Sequence, residues 1–383
     1  MKHFKVNQNQ TNQKQVFGFK KCIATCAMLF SVWFVLQAQT VRYVDNNQGA
    51  PTASGLNYTS VQAAVNASAA GDIIYIQPSP NGYGDINMTK QLSIYGLGHN
   101  PSLNAGQVAT VNNILFRSAN ASGSKISGLN IYGIYLDNGT YDNHDIVITN
   151  NRIVYVAGNS TTSKANNVII SGNFFYHDSS VAIDNVNSQN WIISNNTFTR
   201  TNAYWDYEMF FRFNNTTLFN NNIVLSHQNG DNNQRIEIFR SCSGTQISNN
   251  IFLFRGTSVS NFNLGSNSAL NFQNNLTYGF NSTLDALSGT NNIDNADPQF
   301  VNFVQNSSLN NSNNDYHIQG GSPAENAGTD GNNLGVFNGN YPFSIRGYPT
   351  ELPYLTDFVI YNNIISAGTS LNINVKANAN INN

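Results

Sequence analysis

The sequence has few charged side chains, few cysteines and a single long apolar run. Charged residues make up 10% of the 383 positions, and there are only three cysteines. Cys22 and Cys26 lie near the N-terminus, so Cys242 is alone in the remainder of the chain. Because one cysteine cannot form an internal disulfide, we expect the hydrophobic core to supply the stability.

The apolar run belongs to an N-terminal segment that has the order of a secretory signal. Five lysines precede the apolar residues Cys22–Leu36, and the small-residue stretch Gln37-Ala38-Gln39 follows. We expect residues 1–38 to be a signal peptide that is cleaved near Ala38, and the mature protein to be secreted or on the cell surface. The alternative is a membrane anchor, but a span needs about 20 apolar residues, and no later segment is apolar enough.

The remaining chain has little positive charge. After residue 38 there are 13 basic and 20 acidic residues, a formal charge of −7. A nucleic-acid partner would require a basic face, so that class of function is excluded. We expect a monomer without a membrane span.

Helical periodicity is absent from about residue 126 onward, and a short phrase recurs instead. It consists of β-branched or aromatic residues closed by asparagine. The copies are Ile146–Asn151, Val168–Asn173, Trp191–Asn196, Thr217–Asn221, Gln246–Asn250 and Asn271–Asn275. Their final asparagines lie 22, 23, 25, 29 and 25 residues apart.

This phrase predicts a β-solenoid. Each copy is a short strand that ends in a residue tolerant of the left-handed region. A unit of this length forms one three-sided coil, and successive coils lie about 4.8 Å apart as parallel neighbours. Asparagines stacked at one corner would then hydrogen-bond along the solenoid. The alternative, an antiparallel sandwich, would show hairpins spaced by about 8–12 residues.

The pattern resembles the right-handed parallel β-helix of the pectin-lyase-like superfamily, over residues 41–345. The opening phrase, Tyr43-Val-Asp-Asn-Asn and then Tyr58–Val65, is similar to that family's first coil with its N-terminal capping helix. Ser60 is the expected N-cap, and Val61, Ala64 and Val65 the buried helix face. The closing phrase, Ala296–Val301, Asp315–Ile318 and Ser322–Gly328, is similar to a last coil. The resemblance implies an all-β fold.

The composition changes after Pro353. Leu352–Ile360 and Ser366–Lys376 alternate apolar and polar residues around a glycine turn. We interpret residues 346–383 as a linker and the start of a β-sandwich-like module. Either the sequence is a piece of a longer protein, or the strand pair docks on the end of the β-helix and covers its open edge.

The best candidate site spans two neighbouring coils, "YWDYEMFFRF" at 204–213 and "RIEIFR" at 235–240. Counting thirteen residues back from Asn221 and from Asn250 places Glu208 over Glu237. The same count places Phe210 over Phe239 and Met209 over Ile238. Strand alternation then points Met209 and Ile238 inward. It points four charged residues outward: Asp206, Glu208, Arg235 and Glu237. Arg212 and Arg240 follow just beyond the strands.

The resemblance implies one chemistry for this patch. In calcium-dependent polysaccharide lyases of the superfamily, carboxylates hold Ca²⁺ against a uronate and a base removes the neighbouring proton. Carried over here, Glu208 and Glu237 would be the metal ligands, and Arg240, Arg235 and Arg212 the catalytic candidates. Such lyases generally use a lysine, whereas this chain has none between Lys164 and Lys376. Only an arginine base would serve. No cofactor other than Ca²⁺ is implied.

The same patch also suits simple sugar contact. Tyr204, Trp205 and Asp206 are the candidate substrate-binding residues, and Phe211 and Phe213 are further candidate rings. The leading interpretation is therefore a β-helix protein that binds polysaccharide or acts in adhesion. The alternatives are a lyase that cleaves a uronate-containing glycan by β-elimination, and a structural stalk. An interpretation without a functional site also stays open, in which Asp206 and Arg235 form an ordinary surface ion pair.

Overall fold

The computed structural model describes the chain from residue 39 to residue 378 with gaps. The described ranges are 39–50, 55–104, 106–137, 139–158, 160–177, 181–200, 209–226, 238–255, 267–304, 309, 311–339, 341–349, 351–361, 368 and 370–378. Side chains of residues 177, 200 and 354–356 are not described.

Within these ranges the chain forms β-strands, one α-helix and two short 3-10 turns. The first strands and the helix are β1 (Val41–Val44), β2 (Asn57–Tyr58), α1 (Val61–Ala67), β3 (Ile73–Ile76), β4 (Ile86–Met88), β5 (Ser93–Tyr95), β6 (Thr110–Phe116), β7 (Lys125–Ser127), β8 (Asn130–Tyr135), β9 (Asn143–His144) and β10 (Val147–Thr149). The 3-10 turns are Pro101–Leu103 and Ala119–Ala121.

The central strands repeat with the coils. They are β11 (Arg152–Gly158), β12 (Ala165–Asn166), β13 (Ile169–Ser171), β14 (Phe174–His177), β15 (Ile183–Asn185), β16 (Ile192–Ser194), β17 (Thr197–Arg200), β18 (Phe210–Phe211), β19 (Leu218–Asn220) and β20 (Ile223–Ser226). The last strands are β21 (Phe239–Arg240), β22 (Gln246–Ser248), β23 (Ile251–Phe254), β24 (Asn271–Gln273), β25 (Leu276–Gly279), β26 (Gly289–Thr290), β27 (Phe300–Asn302), β28 (Asp315–Ile318), β29 (Tyr354–Ile360) and β30 (Ile373–Asn378).

Two parallel sheets run along the solenoid. The first sheet has the order β2-β1-β3-β5-β7-β10-β13-β16-β19-β22-β24-β26 and includes the strand of every recurring phrase. The second sheet begins with β4, continues through the long strands β6, β8 and β11, and then divides. One half of β11 continues into the long ladder, β14-β17-β20-β23-β25, and its other half into the short ladder, β15-β18-β21. This confirms the predicted all-β parallel β-helix, the fold of the superfamily that the sequence resembles.

The capping helix also follows the prediction. Ser60 is the N-cap of α1, and its side chain accepts a hydrogen bond from the backbone N–H of Ala63. Val61, Ala64 and Val65 are the buried residues of the helix. The helix therefore covers the core at the start of the solenoid with its apolar face.

A ladder of asparagine side chains runs through the interior at one corner. After the first member, each ladder amide accepts, through Oδ1, the backbone N–H of the preceding ladder asparagine at 2.8–3.0 Å. Its Nδ2 donates to a carbonyl of the preceding coil, as Asn196 does to Ile170 at 2.8 Å. The members are Asn151, Asn173, Asn196, Asn222, Asn250, Asn275 and Asn292. The ladder therefore satisfies buried groups that no strand pairing reaches.

The ladder corrects one position of the sequence analysis. Asn222, rather than Asn221, occupies the ladder in its coil. Asn221 instead has a φ of 55° and forms the turn before it. The phrase of this coil is one residue longer because three asparagines follow Phe219, and spacing alone does not distinguish the second from the third.

The asparagines just before the ladder residues have a separate role. Asn195, Asn221, Asn249 and Asn274 all adopt positive φ angles of 52–61°. Their side chains bond to residues 327–338, which lie outside the corner: Asn274 to the carbonyl of Ala327 at 2.7 Å, and Asn249 to Thr329 at 3.0 Å. Each Asn-Asn pair thus supports the coil interior with one amide and an outer segment with the other.

That outer segment, residues 296–349, is called here the return segment. The sequence analysis expected a last coil in this region, but β27 and β28 pair antiparallel with each other and belong to neither parallel sheet. The segment runs back over the outside of the long ladder because both surfaces are apolar. Phe174, Ile223, Leu253 and other ladder residues form a second core with Phe300, Leu309, Tyr316, Ala324, Leu334, Val336 and Phe343.

The end of the return segment reaches the early coils. The backbone carbonyl of Arg346 accepts from the N–H of His99 at 3.2 Å, and Asn100 donates to the carbonyl of Ile345 at 3.0 Å. Gly347 lies against the ring of His99, where a Cβ would come within 1.9 Å of it. Only glycine fits at this contact.

The last two strands, β29 and β30, form an antiparallel hairpin. Phe358 is paired with Val375, and Ile360 with Ile373, and all four side chains are exposed. Among the described residues these strands pair with no other strand. The hairpin agrees with the two predicted strands, while the predicted module remains an expectation.

The first prediction concerns the asparagine ladder. Asn196→Ala removes the acceptor for the backbone N–H of Asn173 and the donor to the carbonyl of Ile170. Both groups are buried, so we expect the free energy of unfolding to fall by about 2–4 kcal/mol. Guanidinium denaturation followed by circular dichroism measures this. The matched control is Asn187→Ala, an exposed asparagine, which should change stability by less than about 0.5 kcal/mol. Equal effects of the two substitutions would contradict the structural role of the ladder.

Candidate functional site

A row of outward-facing positions crosses the coils on the second sheet. Strand register aligns seven residues from successive coils, and this set is called the outer row. Its members are Asn87, Leu115, Tyr135, Ala157, Asp184, Phe211 and Arg240. The residue before each of them is buried in the core: Ile86, Ile114, Ile134, Val156, Ile183, Phe210 and Phe239. Five members of the row are half-buried, whereas Ala157 and Asp184 are 1% and 4% exposed. At about 4.8 Å per coil the row extends for about 29 Å.

An ion pair lies within the outer row. Arg212 approaches Asp184 with two nitrogens, Nε to Oδ1 at 2.9 Å and Nη2 to Oδ2 at 2.5 Å. The side chain of Asp184 is 6% exposed and that of Arg212 is 33% exposed. A bidentate pair in such partial burial is stronger than a surface pair and holds both side chains in one geometry.

The backbone at Arg212 explains how it reaches this position. Arg212 has a φ of 61°, a left-handed conformation that costs a non-glycine residue about 1–2 kcal/mol. This turn ends the alternation of β18, so Arg212 shares the outer surface with Phe211. Its guanidinium carbon lies 4.3 Å from the centroid of the Phe211 ring. Arg212 therefore connects an aromatic ring to a carboxylate.

A second carboxyl lies close enough to interact with Asp184. Asp137 follows β8 and is 7% exposed, and both of its oxygens accept from the backbone N–H of Ser160, at 3.2 and 3.1 Å. Burial raises the pKa of Asp137 to about 6, the Ser160 hydrogen bond lowers it, and the charge of Asp184 raises it further. Asp137 is therefore a buried carboxyl with a raised pKa, whereas Asp184, whose charge contributes to that shift, is paired with arginine.

Aromatic rings lie beside these charges. Tyr135 of the outer row and Tyr155 are in edge contact, with ring centroids 5.8 Å apart. Gly133 makes room for this arrangement, since a Cβ there would lie 2.9 Å from the Tyr135 ring. Phe211 is half-buried, but Phe213 is 1% exposed and belongs to the core. Phe213 is therefore excluded as a groove ring.

The register of the candidate patch is confirmed where it can be seen. Phe210 pairs with Phe239 and Phe211 with Arg240, and Met209 and Ile238 are both buried. The count gave the correct pairs although it began from Asn221, one residue before the true ladder position. The turn between Phe213 and Leu218 contains one residue more than its counterpart in the next coil, and this extra residue cancels the error. Strict alternation of inward and outward side chains fails at Phe210 and Phe239. Each is buried although the residue before it is also buried, because a bend precedes each short strand.

The structure places two of the predicted site residues and leaves six outside its described ranges. Arg212 and Arg240 lie in neighbouring coils on one face, and the N–H of Arg212 donates to the carbonyl of Arg240 at 3.0 Å. Arg240 lies inside β21 rather than beyond it. The residues outside the described part are Tyr204, Trp205, Asp206, Glu208, Arg235 and Glu237. Their proposed contacts, including the calcium ligands, stay predictions.

Sequence reasoning missed Asp137 and Asp184. Asp184 lies one coil before the candidate patch and pairs with Phe211. The same count taken from Asn196 would have placed Val186 beside Phe211, so the register count does not find Asp184. Asp137 gives a weaker signal because it follows its strand, in a turn. The described residues contain no group of three or more side chains suited to holding a metal ion. No described helix is both long and apolar enough to cross a membrane.

Comparison with known proteins adds a likeness of fold. No protein-family model and no curated protein matches the sequence. One solved structure with a similar fold bears the name rhamnogalacturonan lyase, with 12% sequence identity over 63% of this chain and 70% of that chain, and a TM-score of 0.34. At this level of similarity the activity of that protein does not transfer, and the fold assignment rests on strand topology.

The second prediction uses the pKa of Asp137. An unfolded aspartate loses its proton near pH 4 and folded Asp137 near pH 6. Deprotonation between these values favours the unfolded chain, so wild-type stability should fall relative to Asp137→Asn as the pH rises from about 4 to 6. Above about pH 7 the difference should be constant. Denaturation of both proteins across this range measures it. If the difference in stability between the two proteins is the same at about pH 4 as at about pH 6, the raised pKa of Asp137 is refuted.

Proposed function

We propose that this protein binds a polysaccharide along the outer row, as a secreted or cell-surface β-helix protein whose role is binding or adhesion. The observation that carries the proposal is the linear arrangement of five polar or aromatic side chains over successive coils, interrupted by Leu115 and Ala157. Its length of about 29 Å suits a polymer rather than a single small molecule. The order of the N-terminal segment supports the proposed secretion. The test is the N-terminal residue of the mature protein.

The chemistry of the outer row supports a sugar polymer. Tyr135 and Phe211 offer ring faces and edges for stacking against pyranose rings. Asp184 and Arg212 offer acceptors and donors in a fixed geometry, since their bidentate contact limits the freedom of both. Both kinds of group are needed, because a sugar has apolar C–H faces and a rim of hydroxyls.

The third prediction tests binding. Phe211→Ala removes a half-buried ring near one end of the outer row, and we expect affinity for the bound polysaccharide to fall about tenfold, the equivalent of about 1.4 kcal/mol. Affinity electrophoresis in gels that contain alginate, pectate, chondroitin or a neutral glucan identifies the polymer and measures retardation. Tyr43→Ala is the control, because Tyr43 is an exposed ring on the first sheet that stacks on Tyr75 at 5.8 Å. If no polymer retards the wild type, or if the Tyr43 variant loses as much affinity, the outer row is not the binding surface.

A second candidate function is cleavage of a uronate chain by β-elimination with Ca²⁺. Arg212 is engaged with Asp184 through two bonds, and Arg240 occupies the outer row in the next coil, so Arg240 is the arginine to test as the base. In this reaction the base takes the proton next to the uronate carboxylate, a carbon–carbon double bond forms, and the glycosidic oxygen leaves with a proton. Ca²⁺ would neutralise the carboxylate and acidify that proton.

The fourth prediction separates the two candidates. A lyase should release unsaturated uronate, detected by its ultraviolet absorbance, from at least one of alginate, pectate and chondroitin in the presence of Ca²⁺ and not in chelator. Arg240→Ala should abolish release, whereas Arg346→Ala, an arginine whose exposed side chain bonds to the carbonyl of Leu103, should not. Retained binding without any absorbance change would eliminate the lyase and leave the binding function.

A further inference from the structure

A cavity of about 370 Å³ lies between the long ladder and the beginning of the return segment. Leu253, Tyr278 and Phe280 come from the solenoid side, and Gln319 follows β28. The other lining residues lie close together at the beginning of the return segment: Asp297, Pro298, Gln299, Phe300 and Phe303. This cavity shares no residue with the outer row, and its volume lies within the range of small-molecule sites.

Four rings form a continuous wall around the cavity. Tyr278 and Phe280 meet edge to face with centroids 4.9 Å apart, and Phe280 stacks on Phe303 at 5.7 Å with 16° between the planes. Phe300 contacts Phe303 at 5.9 Å. Because the rings fix one another, the wall is formed before any ligand arrives, which lowers the entropic cost of binding.

Polar atoms of the rim are available to a ligand. Asp297 uses Oδ1 to accept the backbone N–H of Gln299 at 2.8 Å, and Gln319 uses Nε2 to donate to the carbonyl of Phe300 at 2.7 Å. The remaining oxygens of these two side chains, the Gln299 amide and the Tyr278 hydroxyl have no hydrogen bond to another described residue. Burial raises the pKa of Tyr278, and the negative charge of the nearby Asp297 raises that pKa further.

The charge around the cavity narrows the ligand class. Among the described residues that line it, Asp297 is the charged one, so an anionic ligand is repelled. A cationic ligand is also disfavoured, because the guanidinium carbon of Arg255 already lies 5.9 and 5.8 Å from the ring centroids of Phe280 and Phe303. Arg255 is 2% exposed and does not line the cavity. A neutral ligand with an apolar face and several hydroxyls fits best.

We propose that this cavity, lined by Tyr278, Phe280, Phe303 and the polar rim of Asp297, Gln299 and Gln319, is a binding site for one neutral pyranose ring. The ring packs its C–H face on the aromatic wall, and its hydroxyls bond to Asp297 and the glutamine amides. The site is independent of the polysaccharide proposed for the outer row and takes a single sugar unit or the end of a glycan.

The fifth prediction tests this site with defined probes. Saturation-transfer NMR with the intact protein uses the methyl glycosides of glucose, galactose and mannose, together with glucuronate and choline. We expect saturable binding of at least one neutral methyl glycoside, with a dissociation constant in the millimolar range. Asp297→Asn keeps the hydrogen bond to Gln299 but removes the charge, and should weaken binding about tenfold. Gln299→Ala should weaken it as well.

The controls distinguish this site from the outer row. Asp285→Asn makes the same change at an exposed aspartate outside the cavity and should leave binding unchanged. Phe211→Ala should also leave it unchanged, so failure of the polysaccharide proposal does not decide this one. The inference is overturned if no neutral glycoside binds, if glucuronate or choline binds more tightly, or if both cavity variants bind as the wild type does while remaining folded by circular dichroism.

Discussion

The hydrogen-bonded asparagine ladder is the interaction on which the rest of the structure depends. A solenoid turns its backbone at every corner, and each turn leaves buried N–H and C=O groups that strand pairing cannot satisfy. The primary amide resolves this because it has donors and an acceptor on one short side chain. In each coil it bonds to the coils on both sides, as Asn196 does with Asn173 and Asn222. Leucine would fill the volume, but it would leave those groups without partners.

Much of the fold could be predicted because the residues that form this corner are close neighbours in the sequence. The recurring phrase contains the strand, the left-handed turn and the ladder residue within six positions, so the repeat is visible without tertiary information. The errors arise where local sequence is degenerate. Three consecutive asparagines after Phe219 hide which one enters the core, and the phrase Ala296–Val301 resembles another coil although its partners lie on the outside of the long ladder.

The candidate site could be predicted only in part, since it depends on different constraints. The connections between the long and short ladders vary in length: they run from His177 to Ile183, from Arg200 to Phe210, and from Ser226 to Phe239. This corner therefore has no fixed spacing from which faces could be assigned. Arg212 reaches Asp184 through a left-handed turn that strand alternation does not anticipate. The aromatic cavity was not predictable, because its walls come from segments separated by tens of residues and brought together by the return segment.

The return segment also changes how the solenoid responds to stress. Stacked coils that touch only their neighbours can open from either end, one unit at a time. Here one segment bonds to Asn274, then to Asn249 and Asn195, and finally to the turn at His99 and Asn100, whose partner Ile345 is 245 positions away in sequence. A coil at one end cannot detach without also releasing contacts made near the other end. We therefore expect the coils between His99 and Asn274 to unfold together rather than one unit at a time.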